Sequence, residues 1–404
     1  MFRKFALFAT LLLLCVSCAF AEEAEVTGMM MEEPELDITE LIEIAEEEKA
    51  REKKDSDGAY IMTVTCTGDF TIGGDTYHHK DLFTPELERH GGDINFVMEN
   101  VRSLFMDDDL TLLNFEGTLT DTKSVPSSKR NNEFLFSITP SVVSVLPDNG
   151  VEAVSLDNNH VRDHGEEGLA DTKAALDSAG VLYSTPLDLA VFNYKDQIQV
   201  AMLSYNCIDR YGTSFKKHPE EYSASFLAHD TFEEAVCDEI AQAKALYPLV
   251  IVSFHWGKEP TSSNPQQGYI PTDNQIRLGR MAVDAGADLV VGTHSHRIQP
   301  IECYNNKYIL YSLGNFCFAG NSKPRDMSSI IFQIRYRVKN GEVSFRDFRV
   351  IPIRISSVKE RNDLVPWIFP DGYDRDSVLL TLKGNTENDS RLSWGVTDYP
   401  LEFQ

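Results

Sequence analysis

The sequence predicts an α/β fold with a β-rich C-terminal extension. Three observations lead there: short apolar runs alternate with helix-patterned stretches, polar clusters come after the runs, and longer β-rich segments take over from Ile330. The expected strands cover residues 61–65, 110–113, 153–156, 198–203, 249–254, 288–291 and 308–311. Each is a short run of mainly apolar residues. Between them, helical patterns over 166–179, 231–246 and 272–285 predict helices, the last opening at a Thr272 cap. Segments 330–338 and 343–355 predict a hairpin across Asn340-Gly341, a dipeptide that accepts the left-handed turn geometry. Beyond Arg361 the pattern carries little.

Two segments of another kind precede this body. Arg3 and Lys4, the apolar run 5–16 and Ala19-Phe20-Ala21 read as an export leader, 1–21, cleaved after Ala21. The run is shorter than the roughly 20 residues that span a bilayer. Val16-Ser17-Cys18 offers lipoprotein processing as the alternative, so a membrane enters only through lipidation of Cys18. Either route places the mature protein outside the cytoplasm, in the periplasm or beyond the cell. Residues 22–58 form an acidic spacer, with 15 acidic against 4 basic side chains and a short helix expected within 36–54. The main domain is expected over 59–325, completed by strands and a tail over 326–404.

Composition narrows the function. With 63 acidic and 37 basic residues the formal net charge is −26, which repels a phosphate backbone and excludes a general nucleic-acid binder. A 42% hydrophobic content excludes wholesale disorder. Cys66, Cys207, Cys237, Cys303 and Cys317 are scattered, form no Cys-x-x-Cys and read as small buried apolar residues, not as a disulfide framework.

The strand ends are chemically rich. Gly68-Asp69, Asn114-Phe115-Glu116, Asn158-Asn159-His160, His255-Trp256-Gly257 and His294-Ser295-His296 each come directly after an expected strand. Open α/β sheets bind ligands beyond the carboxyl ends of their strands, so these groups are placed to converge. Carboxylates, an amide oxygen and imidazoles form a donor set that suits Mn, Fe or Zn. His294 and His296, two apart, are expected to project together from an extended segment. Arg162, Lys258, Arg297 and Arg325 are candidate anion contacts.

These motifs, with Asp163-x-Gly165-x-x-Gly168, the run from Asp284 through His296, and Tyr311-Ser-Leu-Gly-Asn-Phe316, resemble the capsule-synthesis CapA, or poly-γ-glutamate synthesis, family. That family is similar to the calcineurin-like metallophosphoesterases. The resemblance implies a four-layer αββα sandwich with one or two divalent ions in a hydrolase site. It implies that Asp69 and His296 serve one ion, that Asn159, His255 and His294 serve the other, and that Glu116 bridges them. His160 then assists the leaving group and Asp163 orients His160. The implied substrate is a phosphoester or an anionic polymer, and the implied partners are envelope polymer-synthesis proteins. A non-catalytic role in assembling the polymer is the other reading. The sequence departs from the superfamily in three places. Thr71 stands where an Asp-x-His histidine is usual, Glu116 replaces Asp as the bridge, and Thr293 takes a frequent histidine position, with an effect expected only at the periphery.

Overall fold

Along the strand Leu249–His255, Leu249 and Ile251 enter one apolar layer while Val250, Val252 and Phe254 enter another. The strand Ile198–Asn206 repeats the pattern, with Val200 and Met202 against Ala201, Leu203 and Tyr205. A period of two with both faces apolar requires cover on both sides, and the computed structural model supplies it. It describes residues 54–404 apart from 79, 127–128, 130–133, 209 and 211–212. The leader, and the spacer through Lys53 with most of its expected helix, lie outside the described residues.

Two large sheets stack on each other. The first runs in the order Trp367–Ile368, Glu342–Arg354, Ser328–Lys339, Tyr60–Thr71, Leu110–Phe115, Ala153–Ser155 and Leu182–Ser184, with Asn315–Phe318 also paired to Tyr60–Thr71. The second runs Ile301–Tyr304, Lys307–Leu310, Leu289–Thr293, Leu249–His255, Ile198–Asn206 and Ala190–Tyr194. Met62, Val64 and Leu112 of the first meet Met202, Ile251 and Val291 of the second in the central layer. Outside the first sheet lies the helix Gly165–Ala179, held by Leu169 and Leu176. Outside the second lie Phe232–Leu246 and Asp273–Ala285, which bury Val236, Ile240, Leu278 and Ala282. The expected four-layer αββα sandwich is therefore the fold. Full burial of each such aliphatic side chain contributes about 1.5–3 kcal/mol, which commits both sheets to the stack.

Local signals set the helix starts. Thr231 and Thr272 each close a capping box, with Glu234 and Gln275 respectively. The hairpin turns at Asn340 and Gly341, with φ of 54° and 81°, as its dipeptide predicts. Its first strand pairs antiparallel with Tyr60–Thr71, so the C-terminal segment extends the first sheet. Asp55 and Asp57 already engage this hairpin through Arg337, at 2.7 and 2.6 Å. The tail forms the helix Tyr373–Glu387, which the sequence did not reveal. Arg391 then ties the chain end to Asp273 and Asp389. The described cysteines are all unbridged. Among the described residues no helix is long and apolar enough to cross a membrane.

Two glycines let the sheet ends approach closely. A Cβ on Gly68 would overlap the Gly314 carbonyl, and one on Gly292 would overlap both the Tyr311 carbonyl and the Trp256 indole nitrogen. These partners are backbone and a buried ring, so neither yields easily. Gly292→Ala is expected to cost about 2–3 kcal/mol, read as a lower urea midpoint with an unchanged slope. A midpoint unaltered by the methyl would show that the two strand ends are not packed as described.

Candidate metal centre

The parallel strands of both sheets end at the same side of the molecule, and their ends carry the polar groups. Asp69 lies within Tyr60–Thr71, Glu116 just past Leu110–Phe115, and Asn159 and His160 in the loop after Ala153–Ser155. His255 ends its strand and His294 follows Leu289–Thr293. Two triplets result: Asp69, Glu116 and His296, and Glu116, His255 and His294, the donor atoms in each lying within 4.8 Å of one another. Asn159 completes the second, its Oδ1 2.6 Å from His255 Nε2. The six residues expected as ligands thus share one cleft, with Glu116 common to both halves.

The geometry leaves room for a cation. Thr293 Oγ1 lies 3.0 Å from His255 Nδ1 and 3.5 Å from the Phe254 carbonyl; a hydroxyl turned to that carbonyl accepts from Nδ1–H, the tautomer in which Nε2 keeps its lone pair for an ion. That lone pair faces Asn159 Oδ1, and Glu116 Oε1 at 3.5 Å. Glu116 Oε1 is buried and, among the described residues, has no hydrogen-bond partner. Acceptors facing one another in a dry site fit a positive ion between them.

The electrostatics agree. Burial, reinforced by neighbouring imidazoles, pushes His255 well below its usual value, and burial brings His294 down to about 4. Both are neutral donors at pH 7. Burial, together with the Asp69 charge, pushes Glu116 up to about 8. Burial opposes charge on His296 as well, yet Glu116 and Asp69 outweigh it and raise this imidazole to about 10. Its Nδ1 sits 3.1 Å from Asp69 Oδ2 and 2.8 Å from Asn315 Oδ1.

His160 stands beside the two triplets. Its Nδ1 is 2.8 Å from Asp163 Oδ2, and the residue lines the same cavity as His296 and Asn315. Asp163 is fixed in turn by the Phe136 amide at 2.7 Å and by Lys129 at 3.1 Å. Burial disfavours a charged His160, but Asp163 and Glu116 more than offset it and hold its pKa above the ordinary value.

The profile of the family described as "Bacterial capsule synthesis protein PGA_cap" matches residues 63–320. The chain belongs to this family. The matched stretch contains every group placed above, from Asp69 to Asn315. The PGA biosynthesis protein CapA of Bacillus subtilis is 29% identical over 352 residues, 85% of this chain and 82% of its own. The Capsule biosynthesis protein CapA of Bacillus anthracis is 27% identical over 352 residues, 85% and 77%. Among solved structures, the calcineurin-like phosphoesterase YfkN of Bacillus subtilis is similar at a TM-score of 0.41 and 13% identity, covering 82% of this chain and 98% of that one.

Several sequence expectations change within this PGA_cap chain. His294 and His296 do not project from an extended segment: their φ values are 87° and 53°, and two left-handed turns aim the rings. Thr293 is buried within the site, its Oγ1 3.0 Å from His255 Nδ1. Thr71, in the place of the missing imidazole, donates to Glu116 Oε2 at 3.4 Å. Arg162 is taken by Glu166 at 2.7 Å and lines a small separate cavity beside Asp157. Sequence reasoning also missed a supporting layer. Asn114 donates to Asp69 Oδ1 at 2.8 Å, and Asn158 donates to Asn114 Oδ1 at 3.2 Å. Position in the strand-end motifs was the available signal for both, whereas Lys129 gave none.

Loading with Mn should release protons from Glu116 and His296, so apparent affinity should rise between pH 6 and 8 by up to about tenfold per pH unit for each proton released. Calorimetry in buffers of different ionisation enthalpy counts those protons, and pH-independent binding would contradict the assignment. Thr293→Val should weaken Mn binding about 10–100-fold with little loss of fold.

Proposed function

We propose that this chain is an exported, metal-dependent hydrolase of phosphoester bonds that serves capsule or poly-γ-glutamate metabolism at the cell envelope. The observation that carries the reading is His160, which lines the same cavity as His296 and Asn315 while Asp163 holds its Nδ1. A site kept only for binding has no use for an oriented proton donor. The names of the Bacillus relatives support the envelope role, and the sequence features of residues 1–21 support export.

The chain's residues have distinct parts in such a reaction. Asp69, Glu116, Asn159, His255, His294 and His296 would hold one or two ions of Mn, Fe or Zn, which when bound supply Lewis acidity for the phosphoryl group and for water. Thr293, Asn114 and Asn158 set tautomer and orientation. His160 passes a proton from Nε2 to the oxygen that leaves phosphorus, and Asp163 balances the imidazolium before that transfer. Burial of the cluster limits competing water.

One observation favours a second reading, a non-catalytic assembly factor for an anionic polymer: Thr71 supplies a hydroxyl where the superfamily usually has an imidazole. The two readings separate at His160. Chelator should abolish phosphoesterase activity and Mn restore it, and His160→Ala should lower kcat by about 10²–10⁴ while Mn binding persists. A Mn-loaded protein inert toward a broad phosphoester panel, with polymer production intact in the His160→Ala strain, would leave the assembly reading.

A further inference from the structure

The cluster opens on two sides. One cavity, about 680 Å³, reaches His294 and is lined by Ser214, Thr272 and Asn274. The other, about 500 Å³, reaches His160, His296 and Asn315. Their walls differ. The second carries an aromatic strip: Phe134 and Phe136 stack at 6.1 Å with planes 8° apart, Phe136 meets Phe318 edge-on at 6.4 Å, and Phe318 lies 5.1 Å from the ring of His296. Phe134 is 47% exposed, so its ring is not there to fill core. An exposed aromatic face beside a polar cluster marks a surface for a ligand.

His160 lines the aromatic arm and packs at 4.8 Å against Phe136. It is also the group placed to protonate a leaving oxygen. The leaving group therefore departs along Phe136 and Phe134, and whatever stays on phosphorus lies toward His294. A monoester has one organic substituent and leaves one arm empty, whereas a diester fills both. The geometry points to phosphodiesters with a flat or apolar leaving group as the substrate class, an inference that rests on the hydrolase reading above. In the step, a water oxygen bonds to phosphorus and the phosphorus–oxygen bond to the leaving group breaks with its electron pair going to that oxygen. The His160 proton joins the departing oxygen, and a proton from the attacking water restores His160. The product kept on the His294 side is a monoester.

The test compares bis(4-nitrophenyl) phosphate with 4-nitrophenyl phosphate on the Mn-loaded exported protein, and measures binding of both to chelator-treated protein by calorimetry. The diester should have the higher kcat/KM by about tenfold or more. Phe134→Ala should raise KM and Kd for the diester about fivefold, more than it lowers kcat, and Phe134→Tyr should restore them. Preference for the monoester, or a Phe134→Ala protein with unchanged KM and Kd, overturns the inference while the hydrolase reading stands. Absence of turnover together with Phe134-dependent diester binding would instead sink the hydrolase reading and keep the arm assignment.

Discussion

A buried carboxylate with one oxygen left unpaired is the constraint on which the rest of this structure turns. Glu116 lies in the interior with one oxygen unpaired among the described residues, close to Asp69 and to three imidazoles. Leaving such an atom without a partner costs about 1–3 kcal/mol, more if the group is charged, so a fold keeps the arrangement only when something else is compensated by it. A proton on Glu116 itself is one compensation and a cation is the other. The same strand ends that supply the acceptors also supply the means to orient them.

The sandwich makes this possible because the parallel strands at the heart of two mixed sheets deliver their carboxyl ends to one place. The central apolar layer fixes their spacing, and Gly68 and Gly292 let neighbouring segments within each sheet pass closely at those ends. Asn114, Asn158 and Thr293 then act as a rigid polar layer between sheet and site. Such partners decide which nitrogen of a ring is free and where a carboxylate points, and so they matter as much as the donors themselves.

Much of this could be read from the sequence, for a physical reason. Strands buried on both faces announce themselves as apolar runs, the polar clusters after them mark the strand ends, and the family resemblance singles out Asp69, Glu116, Asn159, His255, His294 and His296 within those clusters. The features that escaped depend on tertiary partners. The strand Tyr60–Thr71 continues through Gly68 and Asp69 because Leu110–Phe115 and Asn315–Phe318 pair with it, which local pattern does not encode. The left-handed turns at His294 and His296 run against the preference of non-glycine residues, so an extended segment was the natural expectation. The helix Tyr373–Glu387 is polar on most of its surface, with Val378, Leu382 and Thr386 as its buried residues. Its weak periodicity gave no signal. The role of Lys129 required knowing which chain segment lies beside Asp163.

The claim that decides the account is that one cleft gathers six donors around cations bridged by Glu116. Anomalous diffraction at the Mn edge from Mn-soaked crystals tests it most directly. The account predicts a peak within coordination distance, about 2–2.3 Å, of Glu116 and of the His255 and His294 nitrogens, with a second on the Asp69 and His296 side if that half also fills. A fully soaked crystal with no peak at Glu116, or with Mn bound only elsewhere on the acidic surface, would contradict it.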